Sequence, residues 1–118
     1  MLRNGLYSIR FRAGADGPEG TGVVVLHDGR LMGGDSALCY SGTYRQNGCK
    51  FVVTVTTSRH AHHLPAIFGL DNTTISFAGS VLHGGAAGFG SSAKVQDVRL
   101  EIFLSFQEPA ELSELMDL

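Results

Sequence analysis

The chain has 118 residues, a net charge of −2, 43% hydrophobic and 17% charged residues, which suits one core, leaves no room for a two-lobed enzyme and lacks the basic stripe of a nucleic-acid binder. Its 16 glycines are about twice the usual share and follow no collagen-like period, so glycine is assigned to turns and bends. No apolar run approaches the roughly 20 residues of a membrane span, and the amino terminus leads straight into strand pattern. A soluble, cytoplasmic protein is expected, with no membrane association and no direct nucleic-acid contact.

From Gly5 to Ala13 the chain alternates, Tyr7, Ile9 and Phe11 on one side and Ser8, Arg10 and Arg12 on the other, which predicts a strand with one wet face. Residues 15–20 read as a loop from their glycine and proline. Val23–His27 then meets Asp28-Gly29, a dipeptide able to supply both positive φ angles of a type I′ turn, and folds back on Arg30–Met32. Gly33-Gly34-Asp35 breaks that strand, and Leu38, Tyr40, Gly42 and Tyr44 share a face of the next. Asn47-Gly48 predicts a second two-residue hairpin, returning through Lys50–Ser58. With that turn, Cys39 faces about position 56 and Cys49 lies beside Gln46, too far apart to bridge, so both are expected as free, half-buried strand thiols.

Alternation stops from Arg59 to Asn72, a long connection for a compact domain. It returns over Thr73–Val81, with Ile75, Phe77, Gly79 and Val81 together. Gly84-Gly85 reads as a tight turn, and Ala86–Gly90 as a weak strand at best, because glycine and alanine bring little to pack. Val98–Phe106 is the strongest strand, Val98, Leu100, Ile102, Leu104 and Phe106 inward, and Pro109 ends it. Residues 110–118 form an acidic tail with Leu112, Leu115 and Met116 at helical spacing. About eight short antiparallel strands and almost no helix predict a single all-β domain over residues 1–109, a small up-and-down, lipocalin-like barrel, because closure removes exposed edges. Gly42 and Gly79 on inward faces would let it bend.

Several segments invite chemistry. His60, His62 and His63 are metal-ligand types, but their spacing is poor evidence for a site: a third or fourth ligand would have to come from elsewhere, with only Asp71, His27 and His83 conceivable, and the segment reads as a solvated loop. Gly88–Ala93 matches G-x-G-x-x-A as a string, yet strand rather than helix follows, so nothing is there to hold a pyrophosphate. No nucleophile elbow and no interpretable carboxylate pair appear. No enzyme, cofactor or metal is expected. The aromatic side chains Tyr7, Phe11, Tyr40, Tyr44 and Phe77 point to one interior and are candidate lining residues for a cavity that takes an apolar small molecule. Phe103, outward on the last strand, is the candidate dimer contact. Glu108, Glu111, Glu114 and Asp117 concentrate the negative charge in the last eleven residues.

Gly5–Phe11, Gly20-Thr21-Gly22, Asp28-Gly29, Gly33-Gly34-Asp35, Tyr40-Ser41-Gly42-Thr43-Tyr44 and Phe106-Gln107-Glu108-Pro109 together resemble the GrlR-like family of negative regulators of type III secretion. The resemblance implies a lipocalin-like barrel that forms a homodimer and represses indirectly, by sequestering a transcriptional activator. In that family an acidic run in the hairpin after the Tyr-x-Gly strand binds the activator. Here that place, the candidate partner-binding segment, holds Arg45, Gln46, Asn47 and Gly48, which offer no carboxylate. Interaction module and apolar-ligand barrel are thus the two expectations carried to the structure.

Overall fold

The computed structural model describes residues 2–14, 17, 19–62, 72–92 and 95–109, with residues 95–98 described by backbone course only. Eight strands follow in order: β1 (Gly5–Ala13), β2 (Glu19–His27), β3 (Arg30–Gly34), β4 (Leu38–Asn47), β5 (Lys50–Arg59), β6 (Thr74–Leu82), β7 (Gly85–Ser92) and β8 (Val95–Pro109). Each pairs antiparallel with its sequence neighbours, and β1 pairs with β8, so the sheet closes into an up-and-down barrel. The acidic tail from residue 110 lies outside the described residues. The strand ends joined by the first, third, fifth and seventh connections define a loop end, opposite a hairpin end that holds the turns 28–29, 48–49 and 83–84 and the start of β1.

At the hairpin end one turn follows its sequence signal and two are shifted. His27 pairs with Arg30, and Asp28 and Gly29 take φ angles of 48° and 86°, the arrangement a type I′ turn needs. Asn47, however, pairs with Lys50, so the turn residues are Gly48 and Cys49 rather than Asn47 and Gly48. Glycine takes the first turn position with φ 61°, and Asn47 stays in the strand. Cys39 therefore faces Ser58, and both cysteines are free and exposed instead of half-buried. Leu82 pairs with Gly85, which moves the third turn to His83-Gly84, with Gly84 at φ 77°.

The segment read as a weak strand is a full one: β7 is paired along its length with β6 and, across one register shift, with β8. Its small side chains are what the packing requires. A Cβ added at Gly90 would overlap the Phe77 ring and the Ser76 carbonyl, and one at Gly42 or Gly79 would overlap the backbone of the adjoining strand. An aromatic ring laid across a glycine on the neighbouring strand restores the buried area that the glycine lacks.

Inward rows make one core, with Tyr7, Val24, Leu26 and Leu100 its most enclosed side chains. Burying each such side chain contributes about 1.5–3 kcal/mol. Outward rows are largely polar, with Arg10, Thr21, Ser41, Thr43, Thr54, Thr56 and Ser76 exposed. Apolar inside and polar outside is the reverse of a barrel that faces lipid. Among the described residues no helix is long and apolar enough to cross a membrane. The hairpin end is plugged: Leu2 is buried and its amide donates to Gln46 Oε1 at 2.6 Å, the Tyr7 hydroxyl donates to the Arg3 carbonyl at 2.8 Å, and Tyr7 meets Phe106 edge-on at 5.4 Å.

Gly90→Val should lower stability by about 1–3 kcal/mol in urea unfolding, because the ring and carbonyl must move. Ser91→Val, one residue on and facing solvent, should change it by less than about 0.5 kcal/mol. Equal losses at both positions would contradict the packing described.

Candidate functional site

Two places combine unusual chemistry: the interior at the loop end, and the outer wall of β6–β8. The first is built around the turn between β3 and β4. Asp35 Oδ1 accepts from the amides of Ala37 at 2.8 Å and Leu38 at 2.7 Å, the local bonding by which aspartate closes a tight turn. Its other oxygen, Oδ2, accepts from the Tyr40 hydroxyl. His60 braces the same turn, its Nε2 donating to the Asp35 carbonyl and its amide to the Ala37 carbonyl, both at 2.9 Å. Gly22 makes the space: a Cβ there would lie 3.3 Å from the Tyr40 ring and 3.4 Å from the Asp35 Cβ.

A cavity of about 60 Å³ inside the barrel has Asp35 in its wall, which is otherwise apolar apart from Tyr40 and Thr57. That is room for a few water-sized groups and well under the roughly 150 Å³ that admits a benzene-sized guest. The Thr57 hydroxyl is occupied, accepting from the Thr73 amide at 3.2 Å and donating to the Thr73 carbonyl at 3.4 Å, while the Thr73 and Ser92 hydroxyls share a bond of 2.9 Å. Burial, with the Asp35 hydrogen bond and negative charge behind it, raises the Tyr40 pKa far above its ordinary value, so the phenol remains a donor at neutral and moderately alkaline pH. Burial also raises Tyr7, against the lowering effect of its bond to Arg3.

Of the five aromatic side chains assigned to a cavity, Phe11, Tyr40 and Phe77 line it. Tyr7 and Tyr44 do not; they pack in the core toward the hairpin end. Arg45, Asn47 and Gly48 are exposed at a hairpin tip, whereas Gln46 is half-buried and holds the Leu2 amide and the Gly48 carbonyl. His60 and His62 are exposed, and His63 lies outside the described residues. Among the described residues no three His, Cys, Asp or Glu side chains converge.

On the outer wall, Phe103 is half-buried beside a neighbour the sequence reading left out. Phe89, on β7, is 44% exposed. Both rings border an open depression floored by Gly79, Ala87 and Gly88. The Arg99 guanidinium sits 3.7 Å over Phe89 and that of Arg10 5.2 Å over Phe103. Arg12 pairs with Glu101 alongside. Asp35 was legible only as a strand breaker, although an aspartate followed closely by a tyrosine in the next strand is the signal that would locate it. Phe89 was hidden by the glycines on either side of it.

No family model matches the chain, and no curated protein is significantly similar to it.

Tyr40→Phe should cost about 1.5–3 kcal/mol at neutral pH, the worth of a hydrogen bond to a charged group. The unfolded phenol titrates near 10.0 and the folded one higher, so the unfolded chain binds fewer protons above that pH and native stability falls as pH rises toward the folded pKa. Denaturant titrations on either side of pH 10 should show a shallower alkaline decline for the variant than for the wild type.

Proposed function

We propose that this barrel is a non-enzymatic interaction module of the cytoplasm, a homodimer that binds a regulatory protein and lowers transcription without touching DNA. The resemblance to activator-sequestering regulators of type III secretion motivates the reading. The observation that carries it is the pair of arginine-capped phenylalanines, Phe89 and Phe103, on the outer wall. Aromatic and arginine side chains are enriched at the energetic centres of interfaces, and an open, small-residue floor between two rings lets a partner side chain approach the backbone. Phe103 serves the dimer in this reading. Phe89 and the hairpin tip at Arg45, Asn47 and Gly48 are the surfaces left for the partner, which would present acidic and apolar groups to Arg99 and Arg45.

The polar outer rows favour a barrel that works in water. A second reading, a small-molecule sensor, is favoured by the carboxylate that faces the interior cavity. The present volume suits a molecule of a few heavy atoms and not an acyl chain, so a lipid-sized guest would require the aromatic core to move.

Phe103→Glu should raise the monomer fraction in sedimentation velocity, and Arg45→Glu, at the hairpin tip of β4, should leave the dimer intact while a co-purifying regulator disappears from the native mass spectrum. An unchanged dimer would release Phe103 from its role. A promoter DNA shift by the purified protein alone at physiological salt would overturn the module reading.

A further inference from the structure

We propose that the cavity at the loop end is a binding site for a small molecule with a short apolar body and a protonated amine, the amine seated against the Asp35 carboxylate. The inference deepens the sensor reading and rests on it. It is independent of the outer wall.

The polar inventory of the cavity decides the ligand class. Among the described residues its wall carries three polar side chains, Asp35, Tyr40 and Thr57. Both bonding functions of the Thr57 hydroxyl are taken by Thr73. The proton of the Tyr40 hydroxyl is committed to Asp35 Oδ2, which leaves only lone pairs of that oxygen free. Asp35 Oδ1 is saturated by two amides, but Oδ2 accepts a single bond from protein and has capacity for another. Everything these groups can still offer a guest is therefore an acceptor. A guest must bring the donors, and one that brings only acceptors would leave buried lone pairs facing each other.

Charge selects further. Among the described residues no arginine, lysine or histidine forms an ion pair with the Asp35 carboxylate. The nearest imidazole, His60, is turned to the Asp35 backbone carbonyl instead. A carboxylate bordering an apolar space, with no counter-ion among the described residues, gains more from an ammonium than from a neutral donor. The apolar body then lies among Val55, Ile75 and Leu100, where about 60 Å³ accommodates one or two carbons beside the amine.

Three probes of equal length separate the contributions: ethylammonium, ethanol and acetate, titrated at pH 7 into the methyl-labelled full chain and followed by the NMR shifts of Leu38, Val55 and Leu100. Ethylammonium should saturate with an affinity about ten-fold or more above ethanol, the ratio expected when a hydrogen bond gains an ionic partner. Acetate should give no saturable shift. In Asp35→Asn, which keeps an oxygen for the Ala37 and Leu38 amides, the advantage of the ammonium over the alcohol should vanish. Equal affinities for ethanol and ethylammonium in the unmodified protein would overturn the amine assignment and leave the cavity reading standing. Absence of saturation by all three would overturn both. The comparison in the unmodified protein holds whether or not the variant folds.

Discussion

The ladder between β1 and β8 is the constraint on which the remaining geometry depends. Every other pairing in the barrel is between strands consecutive in sequence, and each of those pairs could form in an open, twisted sheet. Closing the sheet brings the two ends of the domain together at a substantial cost in chain entropy. It also requires two strand edges to match in register. The match is imperfect by one residue: Leu6 faces Glu108, Tyr7 faces Phe106, and Gln107 is the extra residue between them. That bulge has its own support, because the Gln107 amide donates to the Ser8 hydroxyl at 3.0 Å and the Ser105 carbonyl at 3.3 Å. It turns Phe106 onto Tyr7, and the same ring lies under the Arg3 guanidinium at 4.4 Å. Closure and the plug of the hairpin end are thus one event.

With one end plugged by aromatic packing, the barrel has two different interiors. Toward the hairpins it is a packed apolar core. Toward the loops it holds the one carboxylate of the cavity wall among the described residues, kept in place by backbone amides of its own turn and by a phenol that burial keeps protonated. The outer wall is organised by a different logic, since its exposed rings are covered by cations supplied from within the sheet rather than by other apolar groups. An aromatic face capped in this way remains in water at less cost than a bare one, and it is still able to exchange its arginine for a partner's contact.

Much of this architecture was legible in the alternation of Gly5–Ala13, Lys50–Ser58 and Val98–Phe106, because burial on one side only writes a period of two directly into the residues. Asp28-Gly29 was equally plain, since a type I′ turn restricts both of its positions. Asn47-Gly48 and Gly84-Gly85 misplaced their turns by a residue, because two adjacent turn-forming residues do not say which of them takes the positive φ. The strand at Gly85–Ser92 was undervalued because a glycine there is read locally as a lack of side chain. Its benefit, room for the Phe77 ring and close strand approach, belongs to the neighbour. Tyr7 and Tyr44 lie on the inward face, as their alternation indicates, but pattern gives no depth along the axis and could not separate them from Phe11 and Tyr40. The bond between Asp35 and Tyr40 depends on how the 35–38 turn folds back, which no periodicity encodes.

The opposition of Gly5 and Pro109 in the closing ladder carries a consequence for connectivity. An up-and-down barrel in which the last strand lies beside the first is cyclic in its hydrogen bonding, and only the covalent chain singles out one gap between strands as the place where it starts and stops. Moving that gap to the exposed Gly48-Cys49 turn, with a short linker bridging Pro109 to the segment before Gly5, leaves every ladder partner unchanged. What such a rearrangement alters is the order in which contacts become available: the β1–β8 seam becomes a local hairpin and β4–β5 becomes the distant closure. The native order makes the bulged, aromatic β1–β8 seam the pairing between the strands farthest apart in sequence.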